Sequence, residues 1–270
     1  MLTFEKYQAL GNDYLVFRND HGEELDEAIV RFACDRHYGI GADGVLIGNR
    51  LGDNRFRLEI FNSDGSRAEK SGNGLRIFAQ FVWDERLTVA DDLIVVTLAG
   101  ESVCRKFGGE ICVNMGRPMF AAVNIPVPAD FSQCIDDQAL ELHAVSIGNP
   151  HCVLYVDDLD LNYTRKIGPI LEKLAIFPQH SNVQFVKIIS NSLIQMHIWE
   201  RGVGYTLSSG SCACAAFAVC KKLGYCGSSV VAEMPGGKLV MKETALGEVL
   251  QYGQAIKIAS CFIKKIRPTI

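Results

Sequence analysis

Two stretches of this chain are copies of one another, 138 residues apart and aligned without a gap. The first is Ile60-Phe-Asn-Ser-Asp-Gly-Ser-Arg-Ala-Glu-Lys-Ser71-Gly-Asn-Gly74 and the second is Ile198-Trp-Glu-Arg-Gly-Val-Gly-Tyr-Thr-Leu-Ser-Ser209-Gly-Ser-Cys212. Each passes from an alternating strand, through a glycine-bearing loop, into a Ser-Gly turn that opens an apolar helix. Residues Arg55 to Phe61 alternate polar and apolar, and Ile194, Met196 and Ile198 share one face while Gln195 and His197 take the other, as half-buried strands require. After the turns, Leu75, Phe78, Ala79 and Val82 recur at helical spacing, as do Ala213, Ala216, Phe217 and Cys220. A second pair, Leu10-Gly-Asn12 and Ile147-Gly-Asn149, repeats at about the same distance.

A period this long exceeds the roughly 20–50 residues of a solenoid repeat and points to two pseudo-symmetric domains. The turn signal at Gly116-Arg-Pro118 follows a strand-like Ile111-Cys-Val-Asn segment and marks the boundary. It divides the chain into residues 1–116, with a C-terminal return at about 258–270, and residues 117–257. The remaining segments read as short strands between Gly, Asn and Asp turns, with one strong helix per half. The expected class is therefore α+β rather than a regular βαβ alternation.

Composition narrows the function. A net charge of −4 leaves no electrostatic footprint for nucleic acid. Lys264, Lys265 and Arg267 read as a solvated tail. No apolar run approaches the roughly 20 residues that span a bilayer, and the opening residues lack a signal-peptide pattern, so the cytosol is the expected compartment and no membrane partner is expected. The ten cysteines include no C-x-x-C pair, and Cys212 and Cys214 start a helix pointing to different faces. Free buried thiols, with no metal site, are expected.

Gly39-Ile-Gly-Ala-Asp-Gly44 satisfies G-x-G-x-x-G, yet a dinucleotide fingerprint must open a helix and Val45-Leu-Ile47 reads as a strand. A tight glycine-rich turn accounts for it better. The Ser-Gly turns carry more. A helix start exposes unpaired N–H groups and partial positive charge, and glycine at 72, 74 and 210 admits close approach of a ligand. One such turn is an ordinary N-cap. Two related by duplication favour a shared carboxylate or phosphate site. His151 follows Asn149-Pro150, and Glu200-Arg201 ends the second strand. A carboxylate and an imidazole meeting at a cleft serve as acid and base, or hold the charged groups of a zwitterionic substrate.

These stretches together resemble the diaminopimelate epimerase family. The resemblance rests on Ala9-Leu-Gly-Asn12-Asp-Tyr, Asp35-Arg-His-Tyr-Gly-Ile-Gly-Ala-Asp-Gly44, Phe61-Asn62-Ser-Asp-Gly-Ser, Ser71-Gly-Asn-Gly74, Val145-Ser-Ile-Gly-Asn149-Pro-His151, Asn182-Val-Gln-Phe and Glu200-Arg-Gly-Val-Gly, in family order along nearly the whole chain. It implies two similar domains, each a central helix wrapped by a curved mixed β-sheet, with the site in the cleft between them. It also implies inversion of an amino-acid α-carbon without pyridoxal phosphate or metal, as in LL- to meso-diaminopimelate interconversion for lysine biosynthesis. One thiolate removes the α-proton and a facing thiol delivers another. Carried over by position, Asn12, Asn62, Asn149, Asn182, Glu200 and Arg201 hold the substrate. The amides of Gly72, Asn73, Gly210 and Ser211 grip its α-carboxylate, and His151 and Glu200 flank the reacting centre. A homodimer and a small amino-acid-like substrate are expected by resemblance alone.

The departures fall on the chemistry. Both family cysteines are serines here, Ser71 and Ser209, with Tyr205 in place of the usual Glu and Cys212 in place of the usual Gly. A thiol titrates near about 8.5 and a helix start lowers that further. A hydroxyl is a far weaker acid and needs an adjacent base. At about 1.4 kcal/mol per pKa unit, the two-thiol inversion is expected to be impaired. Three readings stand open: a relative whose His151 and Glu200 perform an easier proton shift, racemisation or ring-forming isomerisation; a non-catalytic amino-acid binder; or an epimerase with both cysteines replaced on purpose. Tyr205 and Cys212 count against the last, since a trapping substitution needs neither.

Overall fold

The structure is a computed structural model describing residues 1–18, 25–123, 125 and 129–264. Lys265 and Arg267 of the basic tail lie outside the described residues. The chain divides into two compact units, one comprising Met1–Val113 with the chain from Gln254 onward, the other Asn114–Gly253.

The first unit runs β1 (Leu2–Ala9), β2 (Asn12–Arg18), α1 (Glu27–Cys34), β3 (Gly44–Arg50), β4 (Arg55–Asn62), β5 (Arg67–Ala68), α2 (Gly72–Asp84), β6 (Asp92–Thr97), β7 (Gly100–Phe107) and β8 (Glu110–Asn114). The C-terminal strand Ile256–Ile263 pairs with β1, and pairing continues through β2, β3, β4, β6, β7 and β8, with β5 folded back on β4. The β2–β3 and β4–β6 pairs are parallel and the rest antiparallel.

The second unit repeats this plan with β9 (Asp130–Ile135), β10 (Gln138–Ser146), β11 (Pro150–Tyr155), α3 (Leu161–Glu172), β12 (Asn182–Ser190), β13 (Leu193–Glu200), β14 (Gly204–Thr206), α4 (Gly210–Lys222), β15 (Ser229–Met234), β16 (Gly237–Glu243) and β17 (Val249–Gly253). Pairing runs β9, β10, β11, β12, β13, β15, β16, β17, with β14 on β13. The parallel pairs, β11–β12 and β13–β15, fall at the matching places. Both units thus share one α+β plan, a mixed sheet enclosing a helix.

Eleven of the thirteen residues of α2 are buried, and the same is true of α4. The α2 helix packs on β1, β2, β3, β7 and the C-terminal strand, whereas α4 packs on β10, β11, β12 and β15–β17. The opposite face of each sheet is covered too. Val30 and Ala33 of α1 join Phe4, Leu15, Val45 and Phe61 in one core. Ile167 and Leu171 of α3 join Leu142, Leu154, Val183 and Phe185 in the other. Strands β2 and β11 are therefore buried on both faces, with Asp13–Phe17 and Pro150–Leu154 buried without interruption. Among the described residues each half carries two helices, where the sequence shows one strong helix per half. The first, α1, has only eight residues, and the second, α3, contains Pro169.

Gly39-Ile-Gly-Ala-Asp-Gly44 forms a turn leading into β3, in agreement with the strand reading. A Cβ on Gly44 would stand 2.2 Å from Phe61 O and 2.7 Å from Tyr14 Cε1, so this glycine is required by strand packing.

Candidate active site

The duplicated turns begin with the same three-residue geometry. Gly65 N donates to Asn62 O at 3.0 Å, and Val203 N donates to Glu200 O at 3.1 Å. Asn62 and Glu200 therefore occupy equivalent turn starts at the ends of β4 and β13. From there each chain makes a short return strand and enters its buried helix through an extended serine, Ser71 (φ −137°) or Ser209 (φ −148°).

In the first unit, Ser71 is an N-cap in the full sense. Its Oγ accepts from Gly74 N at 3.0 Å, and Tyr14 Oη donates to it at 3.4 Å. A Cβ at position 74 would press on Ser71 Cβ at 3.1 Å, so the glycine leaves room for the cap. Asn73, almost fully buried, donates to Asn12 Oδ1 at 3.1 Å and accepts from the buried Arg76 guanidinium. Asn12 Nδ2 donates to Asp43 Oδ2 at 2.8 Å. Arg36 then bridges Asp43 and Asp13, each at 2.7 Å, and Lys6 approaches Asp13 at 3.0 Å. Burial pushes the Asp13 carboxyl up, but Arg36 and Lys6 outweigh it and hold the group below its ordinary value. Asn12, Asn73 and the Ser71 helix start thus form one polar chain. Asn62 lies opposite Gly44 in the β3–β4 register, where its Nδ2 donates to Ser66 Oγ at 3.0 Å.

In the second unit, Ser209 makes no side-chain cap bond; its hydroxyl and that of Ser211 lie against the Cys212 thiol. Gln251 Nε2 donates to Gly210 O at 2.7 Å and braces the turn. Asn182 ties two segments together: its Nδ2 donates to Pro150 O at 3.0 Å, and its Oδ1 accepts from Arg201 N at 3.1 Å. The Arg201 guanidinium donates to Gln179 O at 3.3 Å. The Thr206 hydroxyl donates to Glu200 Oε1 at 2.7 Å. His151 is fully buried with both ring nitrogens engaged, Nε2 at 2.8 Å from Asn149 Oδ1 and Nδ1 at 3.1 Å from Gln184 Nε2. Gln184 Nε2 also donates to Cys212 Sγ at 3.1 Å. Burial, with the nearby Arg201 charge, lowers the His151 pKa to about 3.

Cys212 is fully enclosed, and burial first, then the Glu200 charge, raises its thiol well above its ordinary value. A displaced thiolate base at this position is disfavoured on both counts. Tyr205 stacks edge-on against His197 at 5.8 Å and lies under the Arg165 guanidinium at 5.6 Å, which ties β14 to α3 and β13. Among the described residues no group of His, Cys, Asp and Glu side chains could hold a metal, and no helix is long and apolar enough to cross a membrane.

Each unit thus gathers its own share of the expected site residues. Gln184, Tyr14, Arg36 and Thr206 were not singled out from sequence. Gln184 was within reach, because it sits two residues after Asn182 on one strand and so shares its face.

Two matching sheets, each enclosing a buried helix that starts at a polar Ser-Gly turn, are a plan this chain shares with named epimerases, which places it among isomerases of the epimerase and racemase class. The chain belongs to the diaminopimelate epimerase family, whose model matches residues 4–121 and 143–258. It is 43% identical to a protein named diaminopimelate epimerase 2 of Nostoc sp., over 89% of this chain and 88% of that protein. It is 38% identical to a diaminopimelate epimerase of Ectopseudomonas mendocina, over 96% of this chain and 97% of that protein. The fold is shared with solved structures of low identity. A probable proline racemase of Agrobacterium radiobacter matches at TM-score 0.78 and 11% identity, over 100% of this chain and 94% of that one. A hydroxyproline epimerase of Agrobacterium vitis matches at 0.71 and 10%, over 96% and 91%.

Proposed function

We propose that this chain is a pyridoxal-phosphate- and metal-independent isomerase acting at or next to the α-carbon of a small amino-acid-like substrate, diaminopimelate being the substrate its relatives' names suggest. The observation that supports this most is the pair of equivalent helix starts, Gly72-Asn73 and Gly210-Ser211, each offering backbone N–H groups and helix-dipole charge to a carboxylate. In this reading Asn12, Asn62, Asn149, Asn182, Glu200 and Arg201 bind the remaining polar groups of the same substrate, and His151 lies within the binding machinery.

Ser71 and Ser209 take the places of the proton-transferring thiols, and a hydroxyl there needs an adjacent base to activate it. The Ser71 oxygen accepts two hydrogen bonds, and the Ser209 hydroxyl rests on a protonated thiol. Two-thiol inversion is therefore impaired in this reading. A second reading is racemisation, ring formation or a proton shift on a substrate already activated at carbon. It is favoured by Glu200, whose carboxylate is positioned by Thr206 at the end of β13. A non-catalytic amino-acid binder is a third.

The discriminating experiment is incubation with LL-diaminopimelate in D₂O, followed by mass spectrometry for α-deuteration, on the protein and on Ser71→Cys/Ser209→Cys. No exchange by the protein and exchange by the double variant is the expected result. Exchange by the unmodified protein would show that the serines do not disable inversion. Exchange on another amino acid would favour racemisation, and absence of exchange in both, on diaminopimelate and other amino acids, would favour ring formation, a proton shift or the non-catalytic binder.

A further inference from the structure

His151 is expected by resemblance to flank the reacting centre, but its surroundings are not those of an acid or a base. The imidazole is fully buried, and both nitrogens are held by carboxamides rather than by an acid or a base. With the two carboxamides oriented as they are in this structure, one tautomer satisfies both bonds. Gln184 Nε2 is a donor and commits one proton to His151 Nδ1 and the other to Cys212 Sγ. In this orientation Gln184 Nε2 makes two bonds, while Oε1, also buried, has no partner among the described residues. With Nδ1 accepting, the ring proton resides on Nε2 and is donated to Asn149 Oδ1. Asn149 is itself about nine-tenths buried, and once its oxygen is committed its Nδ2 protons face the other way. The groups that bear on the ring are Asn149, Gln184, the Arg201 charge and, through Gln184, the protonated Cys212 thiol. None favours an imidazolium.

We propose that His151 is a positioning residue, a neutral Nε2–H imidazole that fixes the Asn149 carboxamide with its Nδ2 as the donor offered to the substrate, and that Gln184 and Cys212 set its tautomer. The line Cys212–Gln184–His151–Asn149 then links the start of α4 to a substrate-binding amide through four side chains of one unit. Cys212 stands where the family usually has glycine, and its thiol gives Gln184 a second acceptor that a glycine does not provide. The orientation of Asn149, and with it the preference for an acceptor group on the substrate, is thereby tied to a residue peculiar to this chain. This inference rests on the amino-acid-isomerase reading for the identity of the ligand but not for the state of the imidazole.

The test starts with the unmodified protein, labelled with ¹⁵N-histidine and followed by NMR from pH 5 to pH 8. Of its six imidazoles, the one assigned to His151 is expected to keep the neutral Nε2–H pattern throughout. If all six titrate in that range, or if the invariant ring is the Nδ1–H tautomer, the proposal is overturned. The second arm is Gln184→Glu, a carboxylate of the same shape that can accept but not donate. It is expected to move the His151 proton to Nδ1 and to weaken diaminopimelate binding, measured by calorimetry, by about tenfold or more. Unchanged affinity together with a changed tautomer would overturn the positioning role. If the unmodified protein does not bind diaminopimelate, the substrate reading fails, and the imidazole spectra still decide the role of His151.

Discussion

Ser71 Oγ stands 3.0 Å from the amide nitrogen of Gly74 and caps α2 through it. At the equivalent place on α4 the fourth residue is Cys212, and the Ser209 hydroxyl turns to its thiol instead of to the backbone. Two serines at matching positions therefore support their helices differently. Ser71→Ala is expected to destabilise the protein by about 1 kcal/mol, the usual worth of an N-cap side chain. Ser209→Ala is expected to have a smaller effect, since no backbone donor loses its partner. Urea unfolding of the two variants, read by far-UV circular dichroism, checks the order.

The Cys212 thiol is enclosed and its pKa is raised, so at pH 8 it remains protonated and out of reach. Cys134 is exposed, and Cys226 is half-exposed with its pKa lowered by its hydrogen bond to Cys220 and by Lys221. Brief alkylation with iodoacetamide at pH 8, followed by peptide mass spectrometry, is expected to label Cys134 and Cys226 and to leave Cys212 free. Labelling of Cys212 at a comparable rate would mean that it is an accessible thiolate, and the displaced-thiol role would have to be reconsidered.

The strands and buried helices of the duplicated segments were legible because their apolar periods are regular. Ile194, Met196 and Ile198 are buried as the alternation requires, and Leu75, Phe78, Ala79 and Val82 all face the core of their unit. The second helix of each half was not legible. In α3, Gly168 and Pro169 read locally as a helix stop, yet the Trp199 ring packs where a Cβ of Gly168 would lie, 2.6 Å from its Cγ. Tertiary packing there outweighs local propensity. The site was legible as residue types but not as bonds. Pattern alone places Asn149 near His151, whereas Asn182 and Arg201 are grouped only by resemblance, and neither shows that Gln184 joins His151 to Cys212.

Packing at the start of β3 makes Gly44 far less replaceable than its place in a glycine-rich loop suggests. A methyl group there meets Phe61 O at 2.2 Å, a backbone atom that cannot move without breaking the β3–β4 pairing. Gly44→Ala is expected to lose about 3 kcal/mol, at the upper end of overpacking penalties, or to accumulate as insoluble protein. Thermal unfolding of the soluble fraction measures it, and a change in melting temperature of less than about 3 °C would contradict the packing argument.

Arg36 joins Asp13 and Asp43 at one end of the polar chain that reaches Asn12 and Asn73. Asp13 is mostly buried, and its carboxyl is held below its ordinary value of 3.8 because the Arg36 and Lys6 charges overcome the effect of burial. A depressed carboxylate contributes stability that is fully present above the unfolded value and is lost as pH falls through the folded one. In Arg36→Leu the Asp13 carboxyl loses its guanidinium partner, so its folded pKa rises, its contribution at neutral pH shrinks and what remains is lost at higher pH. The acid unfolding midpoint, followed by tryptophan fluorescence from pH 6 to pH 2, is expected to move upward by roughly half a unit or more. His151, whose pKa is lowered to about 3, makes both proteins acid-sensitive below its unfolded value of 6.5, and that contribution cancels in the comparison. Coincident acid transitions would show that Arg36 does not hold the Asp13 carboxylate, and the orientation of Asn12 would then need another support.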